Sequence, residues 1–249
     1  MIKYFFLIFL FCISNVYGYE RVHIAVSSNF IEPLNLIKKQ FLKKNKIIIT
    51  TSKGSTAKLY AQIINNAPID IFLSADQLTI KKIPDNKKIK GTRFTYAIGN
   101  IIIFSKSKIF NTLKLENIFI EKSSHKIVIA NPKFSPYGLA SKRVLESLGI
   151  WSMFENKIIL ASNINQVSSF IYSGNADLGI ISNSDKFKLK KYEFGYFEEI
   201  PQKLYTQIKQ DVILLKNALN NNKAKSFFNF LKSKDSRNII KAFGYKVTN

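Results

Sequence analysis

An α/β fold is what this sequence predicts, and three observations predict it. Short β-rich apolar runs alternate with stretches of helical spacing from residue 22 almost to the end. Several of those runs are apolar enough to be strands covered by helices, as in a parallel sheet. The composition is globular, with 46% hydrophobic and 22% charged residues over 249 positions, so the chain can bury one large core or two small ones.

The elements follow in order. Residues 1–18, MIKYFFLIFLFCISNVYG, place Lys3 before an apolar run from Tyr4 to Ile13 and end on the small residue Gly18. That is the layout of a secretory signal peptide, with cleavage expected near Gly18. The run is too short to cross a membrane, and Cys12 follows Phe11, unlike a lipid-attachment cysteine. Val22–Val26 then reads as a strand. Phe30, Leu34, Ile37 and Phe41 lie on one face of a helix over 30–44. Asn29 stands where an N-cap belongs, with Glu32 three residues on, as in a capping box. Lys46–Thr51 is β-rich, 57–66 is helical in spacing, and Asp70–Ser74 is a buried strand. Phe94–Phe104 is strand-like with a break at Gly99. Lys126–Ala130 is a strand, and Gly138–Leu148 a helix closed by Gly149. Ile158–Ala161 is a strand, Gln166–Tyr172 a helix closed by Gly174, and Leu178–Ser182 a strand. Lys209–Leu215 is strand-like, and helices are expected over about 221–232 and 235–243.

Composition excludes several classes of function. With one cysteine, and that in the leader, there is no disulfide framework and no cysteine zinc site. His23 and His125 have no partner at metal-ligand spacing. No Ser-His-Asp arrangement or motif-placed carboxylate pair points to an enzyme. A formal net charge of +22 invites a nucleic-acid reading, yet of 38 basic residues only Arg21, Arg93, Arg143 and Arg237 are arginine. The lysines are spread along the chain and read as a solvated surface, so no nucleic-acid partner is expected. Their charge still attracts anions over long range.

The informative feature is the chemistry of four strand-to-helix turns. They read Ser27-Ser28-Asn29, Ser52-Lys53-Gly54-Ser55-Thr56, Asn131-Pro132-Lys133-Phe134-Ser135-Pro136-Tyr137-Gly138 and Ser162-Asn163-Ile164-Asn165. Each offers small neutral donors just before a helix. A helix N-terminus carries unpaired N–H groups and about half a positive charge, which suits an anion. In open α/β sheets such turns line the ligand crevice. Taken singly, each is also an ordinary N-cap.

The local strings resemble the periplasmic molybdate/tungstate-binding proteins of ABC importers. The resemblance covers essentially the whole chain after the leader: AVSSNF (25–30), SKGSTAKLYAQI (52–63), APIDIFLSADQ (67–77), GTRFTYAIG (91–99), NPKFSPYGLA (131–140), SGNADLGI (173–180) and KAFGYKV (241–247). It implies a two-lobed fold of the type II periplasmic-binding class, with mixed, mostly parallel sheets flanked by helices and the oxyanion in the cleft between lobes. Lobe 1 would comprise 19–98 and 207–249, and lobe 2 residues 99–206. It implies capture of molybdate or tungstate by backbone N–H groups and neutral hydroxyls, with no further cofactor and no direct protein–metal bond. Carried onto this chain, the ligand positions are Ser28 and Asn29, then Thr56 with Ser55 beside it, then Tyr137, and Ile164 through its backbone N–H. The family's most studied branch has a small residue where Tyr137 stands and a Tyr where Ser182 stands. This chain resembles a second branch, in which the Tyr137 hydroxyl is expected to donate. Asp70, Asp76 and Asp177 lie in matching segments but would repel a dianion, so they read as caps and turn residues. The resemblance further implies an exported, periplasmic, non-enzymatic monomer that delivers its ligand to a permease and ATPase. The alternative is the same fold binding sulfate, another oxyanion or a small organic anion.

Overall fold

A computed structural model of the chain describes residues 20–108, 115–119, 126–189 and 195–248. The leader 1–18 and His125 lie outside the described residues. The first elements are β1 (Arg21–Ser27), a 3-10 turn at Ser28–Phe30, α1 (Ile31–Leu42), β2 (Ile48–Gly54), α2 (Thr56–Ile64), β3 (Ile71–Leu73), α3 (Gln77–Lys82) and β4 (Phe94–Gly99). Next come β5 (Ile101–Ser105), α4 (Leu115–Ile118), β6 (Ile127–Ala130), α5 (Pro136–Ser147), α6 (Trp151–Phe154), β7 (Ile159–Ala161), α7 (Ile164–Tyr172), β8 (Leu178–Ser182), α8 (Lys186–Leu189) and β9 (Tyr196–Glu199). The chain closes with β10 (Ile208–Leu214), α9 (Asn222–Phe230) and α10 (Lys234–Ala242).

Two five-stranded sheets organise two lobes, in the orders β2-β1-β3-β10-β4 and β7-β6-β8-β5-β9. The chain passes from the first sheet to the second at Asn100, where the sequence breaks after Gly99, and returns between β9 and β10. The sheets are mixed and mostly parallel, as expected: in each, four strands run one way and one runs against them, β10 in the first and β5 in the second. The antiparallel pairings all belong to β10 and β5, the strands entered by crossing between lobes.

The first sheet is covered on both faces. Val22, Ile24 and Val26 of β1 pack with Leu34, Ile37 and Phe41 of α1 and Phe227 and Phe228 of α9. Ala25, alternating to the other face, packs with Leu59 and Ile63 of α2 and Ile80 of α3. The second lobe has one core, in which β5, β6 and β8 meet α5 and α7 through Val144, Leu145, Ile164, Val167 and Ile171. Two helices begin two residues before their predicted starts. Pro136 opens α5 with its φ pre-set for the helix, and Asn163 caps α7 by accepting from Asn165 N (3.1 Å) and Gln166 N (3.2 Å). Among the described residues no helix is long and apolar enough to cross a membrane.

Candidate ligand-binding cleft

The four strand-to-helix turns meet where the lobes touch. Ser28, Lys53 and Gly54 of the first lobe face Ser162, Asn163, Asn165, Gln166 and Ser169 of the second across a cleft of about 300 Å³. The third turn joins them by two contacts. Ala57 N donates to Phe134 O at 3.2 Å, and Asn29 Nδ2 donates to Tyr137 Oη at 3.3 Å. One cation and no carboxylate line this cleft. A larger groove of about 530 Å³ lies between α3 and α5, but Ala75, Leu78, Leu139, Ala140 and Ile208 make it mainly apolar and unsuited to an oxyanion.

The first turn begins as β1 ends. Phe30 anchors it, its ring meeting Tyr96 and Tyr245 edge-on at 4.6 and 5.5 Å. Ser28 lines the cleft. Asn29 is buried and is not an N-cap, which corrects the capping-box reading: Phe30 occupies the cap position of α1, with no side-chain cap bond. Asn29 Nδ2 shares its two hydrogens among Gln210 Oε1 (2.8 Å), Tyr245 Oη (3.0 Å) and Tyr137 Oη (3.3 Å). Its carbonyl accepts from Ser184 Oγ (3.0 Å) and Tyr245 Oη (2.9 Å). Buried partners from three remote elements outcompete a local cap.

In the second turn the two candidate hydroxyls separate. Thr56 Oγ1 lies 2.7 Å from Ser27 Oγ, and Ala75 N donates toward both at 3.4 and 3.0 Å. Ser55 holds the N-cap position of α2 in extended backbone, yet its side chain makes no cap bond. Its hydroxyl has no hydrogen-bond partner among the described residues, so of the pair it is the one available to a ligand. Thr56 contributes the first amide of α2, which has no intrahelical acceptor.

Tyr137, like Thr56, has its hydroxyl engaged within the protein. The expected role was a hydroxyl donating to the anion. The hydroxyl is instead buried, accepting from Asn29 Nδ2 and from Gln210 Nε2 at 3.0 Å, with Ser182 also within hydrogen-bonding reach. The Tyr137 amide, second in α5, has no intrahelical acceptor, while Ser135 Oγ accepts the next amide, Gly138 N, at 3.3 Å. Burial pushes the Tyr137 and Tyr96 hydroxyls well above the usual phenol range, and burial raises Tyr245 as well. All three stay neutral hydrogen-bonding groups.

In the fourth turn Ile164 stands first in α7. The side chain is buried in the second core, and its N–H opens α7 just ahead of the two amides that the Asn163 cap takes up. Beside it, Asn165 Oδ1 is, among the described residues, the buried side-chain polar atom without a hydrogen-bond partner. A half-turn of that amide presents a donor in place of the acceptor. Ser182 bonds Ser184 Oγ at 2.8 Å and belongs to the hydroxyl network. The three aspartates are structural: Asp76 accepts Thr79 N (2.6 Å), Asp70 accepts His23 N (2.8 Å), and Asp177 accepts Lys126 N (2.7 Å).

Gln210 and Tyr245 are the residues that sequence reading missed. Both lie far along the chain from the turns they join. Gln210 stands between Lys209 and Asp211 in the strand IKQDVIL, so no local contrast marked it.

Comparison with known proteins agrees with this architecture. The family model for bacterial extracellular solute-binding protein matches residues 22–246. The molybdate-binding protein ModA of Azotobacter vinelandii is 34% identical over 227 residues, covering 90% of this chain and 89% of that protein. The ModA of Rhodobacter capsulatus is 33% identical over 222 residues, covering 89% of this chain and 86% of that one. The solved structure of the A. vinelandii periplasmic molybdate-binding protein superposes with a TM-score of 0.84 at 29% identity, over 92% of this chain and 100% of that chain.

Proposed function

Since this chain belongs to the family of bacterial extracellular solute-binding proteins, we propose that it captures molybdate or tungstate between its lobes and delivers it to an ABC importer. The observation that carries this reading is the convergence of three helix-starting turns on a cleft without a carboxylate, with the turn before α5 hydrogen-bonded beside them. The relatives named for molybdate binding support the choice of ligand.

Lys53 and the basic surface draw the dianion to the open cleft. The Ser28 and Ser55 hydroxyls and the amides of Asn29, Thr56, Tyr137 and Ile164 then replace its water. Neutral donors contribute about 1.5–3 kcal/mol each toward a charged acceptor. Donors fixed on two rigid lobes cannot follow a smaller tetrahedron inward, so sulfate is disfavoured. A protonated phosphate would set a donor against donors. The closed form is the one the permease recognises. The chain works by binding rather than catalysis. Its leader is removed near Gly18, and it acts in the periplasm as a monomer beside the permease and ATPase. Lobe limits of 19–98 with 207–249, and 99–206, belong to this proposal. Sheet membership supports them, with the first crossing at Asn100.

A thermal-shift titration with molybdate, tungstate, sulfate and phosphate at fixed ionic strength tests it. A ligand at 100 times its Kd adds about 2.7 kcal/mol, a rise of roughly 5–10 °C at this size. A rise with molybdate and tungstate but not sulfate is the expected result. Equal rises with all four would point to nonspecific charge, and no rise at all would discard the oxyanion reading.

A further inference from the structure

Where β10 pairs with β4, Gln210 lies opposite Ala97 and Asp211 opposite Thr95, so β4 carries a bulge with Tyr96 as its extra residue. β10 itself keeps the alternation of a strand, so its successive side chains point to opposite faces. Asp211 turns into its own lobe, toward Arg93, Thr95 Oγ1 (2.6 Å) and Gln77 Nε2 (3.0 Å). Gln210, wholly buried, turns toward the other lobe. Its Oε1 accepts from Asn29 Nδ2 (2.8 Å) and Tyr96 Oη (3.1 Å), both in the first lobe. Those two donors orient the amide, so that Nε2 is presented to Tyr137 Oη at 3.0 Å on α5 of the second lobe.

Gly99 forms the floor beneath that contact. A Cβ at residue 99 would sit 2.0 Å from Tyr137 Oη, 3.0 Å from Tyr137 Cζ and 2.8 Å from Gln210 Nε2. The tyrosine ring therefore enters a notch that exists because residue 99 has no side chain. The notch lies at the end of β4, one residue before the chain crosses between lobes. Neither Gln210 nor Gly99 lines the cleft.

We propose that Gln210 and Gly99 are positioning residues for ligand capture: together they form an interlobe clasp on Tyr137 that sets how much of the ligand-free protein is already closed. An anion that binds the closed form has its apparent affinity scaled by that closed fraction. The affinity part rests on the oxyanion reading above, whereas the closure part does not.

The test is a cycle of Gly99→Ala, Tyr137→Phe and the double variant, with Gln210→Met alongside. Each is followed by the radius of gyration in small-angle X-ray scattering without ligand, and by molybdate titration. Gly99→Ala clashes in the closed form, because the clashing hydroxyl comes from the other lobe. The expected result is a larger ligand-free radius and an apparent Kd raised about tenfold, the weight of one hydrogen bond at the upper end of its net range. Tyr137→Phe removes the atom at 2.0 Å, so the double variant regains part of the closure that Gly99→Ala loses. Gln210→Met keeps the volume and opens the protein in the same direction. A Gly99→Ala protein as compact as the parent overturns the proposal, as does one whose loss Tyr137→Phe does not mitigate. If Gly99→Ala fails to fold, Gln210→Met decides alone, and unchanged compactness there overturns it. If the parent binds none of the anions, the ligand-free radii still decide the clasp, and the oxyanion reading alone falls.

Discussion

The hydroxyls of Ser27 and Thr56 lie 2.7 Å apart, one at the end of β1 and the other at the start of α2. Ala75 N–H, leading into α3, is held against the same pair. Three elements of the first lobe are thus locked at one point, and the neighbouring Ser55 hydroxyl takes no part in the lock. The resemblance offered Ser55 and Thr56 as ligand positions, and of the two this pairing engages the hydroxyl of Thr56 alone.

Ser55→Ala should weaken molybdate binding about tenfold to a hundredfold, the weight of one neutral donor on a charged acceptor. The melting temperature without ligand should hardly move. Thr56→Val should do the reverse, losing about 1–3 kcal/mol of stability by stranding buried partners. Calorimetric titration and thermal melts of the two variants read both effects. An unchanged affinity in Ser55→Ala would remove that hydroxyl from the binding set.

Ile164 contributes through an amide, so its side chain and its N–H are separable. Both Ile164→Ala and Ile164→Pro truncate a buried residue and should lose a few kcal/mol of stability. Proline is tolerated at the first helical position, and the extended Asn163 (φ −158°, ψ 169°) accepts a following proline. The proline variant alone lacks the donor. Its affinity for molybdate should fall at least tenfold below that of the alanine variant. Equal affinities would show that the amide does not touch the ligand.

Arg93→Ala leaves the buried Asp211 carboxylate with Thr95 and Gln77 but without its cation. The Arg93 side chain is 32% exposed, which places the loss below that of a fully buried pair, at about 2–3 kcal/mol. Melting should fall by roughly 5–10 °C. Adding Asp211→Asn removes the stranded charge and should recover part of the fall. A double variant that melts lower still would refute this account.

Alkaline stability follows from the buried phenols. Burial, with the field of Glu198, raises Tyr196 to about 12, and burial also raises Tyr96, Tyr137 and Tyr245. In the unfolded chain a phenol ionises near 10, before its folded counterpart. Their contribution is therefore complete below pH 10 and is lost as pH climbs from 10 toward 12. Urea midpoints should be level from pH 7 to 9 and drop between pH 10 and 11.5. A midpoint unchanged at pH 11.5 would contradict the burial of these hydroxyls.

Much of this was legible because it is local. The spacing of Leu34, Ile37 and Phe41 reports one buried helix face, and all three are buried. Gly149 and Gly174 close helices with φ of 71° and 78°, as their places in the sequence indicate. The four turns were legible because each is a short contiguous string. Asn29 was misread because a local capping rule cannot see Tyr137, Gln210 and Tyr245, respectively 108, 181 and 216 positions away. The bulge at Tyr96 was hidden for a related reason: it exists only in register with β10. β9 escaped notice because Tyr196–Glu199 is short and ends on two glutamates.

The strand order of the first sheet sets a timetable for folding. β10 sits between β3 and β4, so that sheet is split until residue 214 has emerged, whereas every strand of the second sheet lies within 101–199. A chain arriving N-terminus first can assemble its inner segment as a unit while its opening strands wait for β10. Pulse-labelled hydrogen exchange during refolding should show amides of Ile127–Ala130 protected before those of Ile71–Leu73. The halves of the cleft then mature at different times, and the inserted lobe serves as the template against which the discontinuous one closes.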